Sequence, residues 1–124
     1  MQNKNAFCLI RPPGHHAERE KAMGFCFLNN IAIGAKYLKE IKQIDKIAIV
    51  DFDVHHGNGT QNILWDDPDF LFISIHQSKL FPFTGSENET GNRNNILNIP
   101  VNANSNSFEF RYIVDKVVIP RLKE

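Results

Sequence analysis

The stretch IAIVDFDVHHGNGTQ, residues 47–61, joins an apolar run to a polar cluster and then to a glycine-rich turn. The run does not alternate apolar with polar residues, which is typical of a parallel strand that is covered on both faces. We predict a strand over residues 46–51 and a turn into a short helix over residues 57–65. The strand would therefore deliver Asp51 and the residues after it to the edge of a sheet.

The rest of the chain alternates between strand patterns and helix patterns. Strands are predicted over residues 6–10, 70–75 and 96–101, and residues 76–95 form a long polar loop. A helix is predicted over residues 26–43, with one apolar face formed by Phe27, Ile31, Ala35 and Leu38. A last helix would begin after an N-cap at Asn106, with Glu109 three residues on, and would be disrupted at Pro120. This alternation predicts an α/β fold with a mainly parallel sheet.

Composition excludes several classes of protein. Lys plus Arg and Asp plus Glu each number 14 in 124 residues, so neither nucleic acid nor an anionic membrane is an expected partner. No apolar run reaches the roughly 20 residues that a membrane-spanning helix needs, and the start of the chain lacks a signal-peptide pattern. Cys8 and Cys26 suit buried positions in a reduced, cytoplasmic protein.

Polar residues follow three of the predicted strands. In open α/β sheets, ligands bind beyond the carboxyl ends of the strands. The polar residues at these strand ends are His15, His16, Asp51, Asp53, His55, Ser74 and His76. We therefore expect them to meet at one rim of the sheet.

The chemistry of these residues suits hydrolysis assisted by a metal ion. Asp53 and His55 have side chains that zinc accepts, and their i, i+2 spacing would point both to one side. Asp51 would lie behind them, placed to bind a histidine and to set its tautomer. The alternative is that Asp51, Asp53 and His55 are ordinary hydrogen-bonded loop or cap residues, because short motifs often arise by chance.

The two adjacent histidines strengthen the hydrolase interpretation. His15 and His16 could serve as general acid and general base near neutral pH. Asn58 could orient the second histidine through its amide oxygen. Together with a metal-activated water, this set could cleave an amide or an ester.

Five motifs, in this order, closely resemble the histone deacetylase superfamily: RPPGHHAE, GFCFLNN, VDFDVHHGNGTQ, SIHQ and LFPFTG. RPPGHHA is similar to the class II and bacterial branch, which includes acetylpolyamine amidohydrolases and acetoin-utilisation-type proteins. The resemblance implies a three-layer arginase/deacetylase-like α/β fold and zinc-dependent deacetylation of acetylated amines, either protein lysines or small molecules.

The resemblance also implies roles for individual residues. Asp53 and His55 match two of the three zinc ligands. His15 and His16 match the catalytic histidine pair, with His16 as the general base. Asp51 matches the acid behind His15, and Asn58 matches the residue behind His16.

Further positions match a substrate channel and a second ion. Phe25 and Phe81 match the aromatic walls of the acyl-lysine channel, and Gly24 would lend a backbone carbonyl, although spacing alone favours core packing for both phenylalanines. A monovalent cation, usually potassium, is implied at Asp51, Asp53, His55, Ser74 and Ile75, largely through backbone oxygens. His56 and His76 receive no catalytic role.

Other parts of the family pattern have no match in this sequence. The third zinc ligand, an aspartate, and the catalytic tyrosine belong to later segments. Asp66, Asp67 and Asp69 suit a capping turn, whereas Asp115 and Tyr112 suit a helix. Phe83 stands where a glycine is usual. We therefore expect residues 1–124 to be the central part of a single deacetylase catalytic domain.

Three functional hypotheses remain at this point. The first is a zinc-dependent deacetylase in the parent protein, with the 124-residue piece itself inactive. The second is a catalytically dead fragment that acts as a binding or assembly module. The third is an arginase-like dimanganese hydrolase. His56 could bind the second metal ion, but the sequence offers no clear second ligand to join it. We also expect self-association through an exposed sheet edge.

Overall fold

The computed structural model describes residues 5, 7 and 9–124. Its sheet has three parallel strands: β1 (Ile47–Asp51), β2 (Phe70–Gln77) and β3 (Ile96–Val101), in the order β1-β2-β3. This arrangement confirms the predicted α/β class. The strand predicted over residues 6–10 lies partly outside the described residues, and the described members of that range are not in a strand.

Helices cover both faces of the sheet and make the fold three-layered. Helices α1 (Asn30–Glu40) and α2 (Asn58–Leu64) lie on one face. The other face carries α3 (Ser107–Ile113), a π-helical turn (Val114–Val118) and α4 (Ile119–Leu122).

Each face of the sheet has its own apolar core, because successive side chains of a strand point to opposite faces. The core under α1 and α2 contains Ala35, Ile49, Leu64, Phe70, Phe72 and Ile96. The core on the other face contains Ile73, Ile75 and Val118. The central strand β2 supplies residues to both cores.

The first helix begins later than predicted. It starts at Asn30 instead of residue 26, because the side chain of Asn29 caps it by accepting a hydrogen bond from the backbone N–H of Ala32 at 3.1 Å. Phe27 therefore lies before the helix and is 81% exposed. The predicted apolar face is wrong at Phe27, whereas Ala35 is buried in the core as expected.

The last helix begins as predicted and ends later. Asn106 and Glu109 form the reciprocal capping box that the sequence indicates. Pro120 does not end the helix, which continues to Leu122. The wider π-helical turn Val114–Val118 precedes the proline. Proline clashes with the carbonyl four residues earlier in a regular α-helix, and the wider turn together with a place at the start of α4 removes this conflict.

The expected burial on both faces holds for β2 and only in part for β1. Ile49 is buried in one core and Val50 is partly buried against the other, whereas Ala48 is exposed. Within the described part of the chain, β1 and β3 each pair with β2 alone, so each leaves one edge open. Self-association through such an edge stays a prediction. Among the described residues, no helix is both long enough and apolar enough to cross a membrane.

Candidate active site

A polar row crosses the sheet beside the core that underlies α1 and α2. Asp51 is paired in register with Ser74, and Ser74 is paired with Asn98. The preceding row on this face is apolar and consists of Ile49, Phe72 and Ile96. The change from apolar to polar along the three strands marks the rim to which the sequence assigns the site.

His15 is buried and bonded to the end of β1. Its Nδ1–H donates to Asp51 Oδ2 at 2.8 Å, which leaves Nε2 facing Asp53 Oδ1 at 4.0 Å. Burial lowers the pKa of His15, but the hydrogen bond to Asp51 and the charges of Asp51 and Asp53 outweigh it, so the pKa is raised above 6.5. The charged form of His15 is therefore favoured.

His16 has the opposite electrostatic setting. Its Nδ1–H donates to Asn58 Oδ1 at 2.9 Å, so the neutral ring has Nε2 free to accept a proton. Burial lowers its pKa below 6.5, and the charges of His15 and His55 lower it further against the raising effect of the Asn58 bond. The rings of His15 and His16 are 4.1 Å apart between centroids. The pKa values of the two adjacent histidines are therefore shifted in opposite directions, upward for His15 and downward for His16.

The first turn of α2 holds the backbone of the histidine pair, a feature that sequence reasoning missed. Gly59 and Thr60 donate their backbone N–H groups to the carbonyl of His15 at 2.9 and 3.1 Å. A Cβ atom on Gly59 would lie 2.3 Å from the carbonyl oxygen of Ala17, so only glycine fits there. The second glycine of the GNGT run is the signal that could have revealed this close approach.

Asp53 and His55 form the other half of the site. Asp53 Oδ1 accepts from the backbone N–H of His55 at 2.8 Å and from its Nδ1–H at 3.0 Å. The two side chains are 39% and 38% exposed. Burial raises the pKa of Asp53, but these hydrogen bonds and the charges of His15 and His55 lower it below 3.8.

The carboxylate oxygen of Asp53 and the ring nitrogen of His55 are atoms that zinc binds. Asp53 Oδ1 and His55 Nδ1 are 3.0 Å apart, close to the roughly 3.3 Å expected between two ligand atoms on tetrahedral zinc, and zinc bound there would replace the Nδ1 proton. In the part of the chain that the structure describes, no group of three or more His, Cys, Asp or Glu side chains is placed to hold a metal ion. Asp53 and His55 could therefore supply two ligands, where a catalytic zinc site uses three.

The residues expected at the potassium position lie at the same rim. Ser74 and Ile75 are buried in β2, and Ser74 lies opposite Asp51. The hydroxyl of Ser74 is hydrogen-bonded to His76 Nδ1 at 3.0 Å. A cation contacted there through backbone oxygens stays a prediction.

The two phenylalanines expected to wall a channel differ in their surroundings. The ring of Phe81 lies edge-on to His16 and His55, with centroid distances of 5.0 and 6.3 Å. Phe25 is 94% exposed, so the core packing that spacing favours is wrong for it. Gly24 has a φ of +56°, and a Cβ atom there would lie 2.2 Å from His16 Cδ2. Gly24 and Phe81 therefore contact the histidine pair.

His56 does not offer a ligand for a second metal ion. Its Nε2–H donates to Gln61 Oε1 at 3.0 Å, and its Nδ1 is bonded to the hydroxyl of Thr84 at 2.8 Å. Burial and the neighbouring His76 lower the pKa of His56 to about 4. Both ring nitrogens of this neutral side chain are in use, which removes the residue that a dimanganese site would have recruited.

The aspartates that follow α2 are structural, as predicted. Asp67 accepts from the backbone N–H of Asp69 at 3.2 Å and pairs with Lys36. Asp69 pairs with Lys39. These contacts attach the turn before β2 to α1, away from the rim.

Comparison with known proteins identifies the family that this fold and rim define. The model of the histone deacetylase domain matches residues 1–124, and the chain belongs to that family. It is 56% identical over 91 residues to Histone deacetylase 9 of Homo sapiens, covering 71% of this chain and 9% of that protein.

Solved structures show the same similarity. The HDA15 HD domain superposes with a TM-score of 0.87 at 36% identity, covering 92% of this chain and 35% of that one. An acetylpolyamine aminohydrolase from Burkholderia pseudomallei gives 0.84 at 35% identity, covering 91% and 34%. This chain therefore spans about a third of each of these solved domains.

Proposed function

We propose that this chain carries the proton-transfer groups and two zinc ligands of a zinc-dependent deacetylase, as the central part of its catalytic domain. One observation carries the proposal: the histidine pair lies directly beside Asp53 and His55. His15 Nε2 is 4.0 Å from Asp53 Oδ1, and the rings of His16 and His55 are 5.9 Å apart between centroids. Proton transfer and metal binding can therefore act on one substrate group.

The two histidines divide the proton transfers. Zinc, when bound by Asp53, His55 and a further ligand, supplies the charge that polarises a carbonyl and activates water. His16, whose pKa is lowered by burial and which Asn58 orients, takes the proton of the attacking water at Nε2. His15, whose charged form Asp51 favours, supplies positive charge and a proton for the departing amine.

The substrate class follows from the walls of the site. An N-acetyl amide, such as acetyl-lysine or an acetylpolyamine, has a slender alkyl stem that suits an aromatic wall such as Phe81. Gly24 would accept a hydrogen bond from the amide N–H, and Phe25 would form the outer wall. A potassium ion at the backbone oxygens near Asp51 and Ser74 would support the loop that carries the ligands.

The 124-residue chain alone should bind zinc weakly and have little or no deacetylase activity, because it supplies two protein ligands where a catalytic zinc site uses three. Isothermal titration calorimetry with zinc tests the ligand assignment. Asp53→Ala and His55→Ala should each weaken binding at least about tenfold, a loss of roughly 1.4 kcal/mol. Asp115→Ala, in the exposed π-helical turn, is the matched control and should bind like the parent chain.

Two outcomes would contradict this proposal. Equal zinc affinity in the parent chain and in both alanine variants would remove Asp53 and His55 as ligands. Turnover of an acetyl-lysine peptide by the isolated chain with zinc, at the rate of a complete family enzyme, would show that two ligands suffice.

A further inference from the structure

The partly buried carboxylate of Glu89 belongs to a network of polar side chains, and the proposed function gives it no role. Glu89 lies in the loop of residues 78–95. Its carboxylate accepts from the backbone N–H of Gly85 at 3.1 and 3.3 Å and from that of Ser86 at 2.9 Å. It also accepts from Gln61 Nε2 at 2.5 Å. One side chain therefore closes a turn of the loop and joins it to α2.

Gln61 extends this connection into the fold. Its Oε1 accepts from His56 Nε2 at 3.0 Å and from Asn98 Nδ2 at 2.7 Å. The backbone carbonyl of Glu89 accepts from Asn98 Nδ2 at 3.1 Å. The loop is thus attached to α2 and to β3 through Glu89 and its neighbours.

The attachment leaves little freedom at Gly85. Its carbonyl accepts from His76 Nε2 at 3.1 Å, and its φ is +87°. A Cβ atom there would lie 2.6 Å from ring atoms of both His56 and His76. The backbone of Gly85 therefore rests directly on two buried rings, and the carboxylate of Glu89 holds it there.

The same loop carries Phe81, four residues before Gly85, against His16 and His55. Phe81 is 36% exposed, so packing of its own ring does not fully fix its position. The turn that follows Phe81 in the loop is closed by Glu89 through Gly85 and Ser86.

We propose that Glu89 is a positioning residue, which sets the placement of Phe81 over His16 and so the width of the substrate entrance. That a substrate enters beside Phe81 and His16 rests on the proposed function. It needs neither zinc nor turnover for its test, so its failure is separable from failure of the deacetylase assignment.

The test is the NMR chemical shift of the ring protons of His16 in the metal-free chain. An aromatic ring packed edge-on at 5.0 Å shifts such protons, and Phe81→Leu defines the full contribution of the Phe81 ring. Glu89→Gln keeps the size of the side chain but removes its charge. With its amide oxygen on Gly85 and Ser86, its NH2 group would face the donor Nε2 of Gln61. Glu87→Gln makes the same change at an exposed position of the same loop and is the matched control.

Glu89→Gln should move the His16 signals by about half or more of the Phe81→Leu change. It should also speed hydrogen exchange of the Gly85 and Ser86 amides about tenfold, because the acceptor of both amides loses its charge and the bond to Gln61 is broken. Glu87→Gln should leave both measurements at the parent values. A folded Glu89→Gln chain with parental His16 signals would overturn the proposal.

Glu89→Asp covers the case in which Glu89→Gln does not fold. The shorter carboxylate keeps its charge and cannot reach Gly85 and Gln61 together, so the His16 signals should move in the direction seen for Phe81→Leu. Parental signals in Glu89→Asp would also overturn the proposal.

Discussion

The two halves of the rim are built differently. His15 and His16 are each 4% exposed, and each is bonded to an acceptor brought from 36 or 42 residues away. Asp53 and His55 are more than a third exposed and bond to each other across two residues. The histidine half, His15 and His16, is therefore positioned by the tertiary fold. The proposed metal half, Asp53 and His55, is a local turn.

This difference shows which part of the site is already ordered in the chain without metal or substrate. Long-range bonds fix the tautomers of the histidines before any metal or substrate arrives, which is the preorganisation that proton transfer needs. The local turn places the two proposed zinc ligands together but does not enclose them. We therefore expect substitutions in the histidine half to change stability more than substitutions in the metal half.

The largest effect is expected for Gly24→Ala. The new methyl group would lie 2.2 Å from Cδ2 of the buried His16 ring, and Gly24 has a φ of +56°, so steric clash and backbone strain add. We expect a loss of about 3 kcal/mol or more in the free energy of unfolding, measured by urea denaturation. Gly34→Ala is the control.

Gly34 has open space around it and lies inside α1. Alanine there should stabilise the chain by about 0.5–1 kcal/mol, because glycine is a poor helix former. If Gly24→Ala lost less than about 1 kcal/mol, His16 would be able to move aside, and the histidine half would not be rigid.

An intermediate effect is expected for Asp51→Asn. Without the carboxylate, burial is the dominant influence on His15, so its pKa should fall from above 6.5 to below it. We expect a loss of about 2 kcal/mol in unfolding free energy at pH 6, because a charge-assisted hydrogen bond is broken. Histidine titration by NMR, with a chelator present, measures the pKa change.

The sign of the pH dependence follows from the two histidines. The stability from the raised pKa of His15 is fully present below pH 6.5 and is lost as the pH rises through its folded pKa. The lowered pKa of His16 acts oppositely and costs stability as the pH falls below 6.5. A parent chain in which His16 titrates above His15 would contradict this electrostatic division.

Sequence patterns were sufficient for the parts of the molecule that are periodic or local. The uniform apolar run before Asp51 predicts β1, and the spacing of Asn106 and Glu109 predicts the capping box. The rule that ligands bind beyond the carboxyl ends of parallel strands brings Asp51 and Ser74 to one rim. His15 reaches the same rim although the described residues of the range 6–10 are not in a strand. Each of these inferences uses neighbours in sequence or a general property of α/β sheets.

Other features were missed for different reasons. Asn29 is a residue type that commonly caps helices, but the apolar spacing from residue 26 hides the cap, which delays α1 and leaves Phe27 outside the helix. Pro120 reads as a helix breaker because nothing in the sequence reports the π-helical turn before it. The role of Glu89 requires knowing that Gly85 rests on two histidine rings, a contact between distant segments that leaves no local signal.

The smallest effect is expected for Asp53→Asn in the metal-free chain. Its hydrogen-bond partners are the backbone and ring of His55, two residues away; His15 is 4.0 Å away, and solvent screens a side chain that is 39% exposed. We expect a loss of about 0.5 kcal/mol in the same urea measurement, several times less than for Asp51→Asn. The carboxylate contribution is present above pH 3.8 and is lost as the pH falls through the lowered pKa of Asp53, so the two chains should converge in acid. A loss at neutral pH as large as that of Asp51→Asn would mean that Asp53 supports the fold before any metal binds. The contrast between a prepared histidine half and a local metal half would then be wrong.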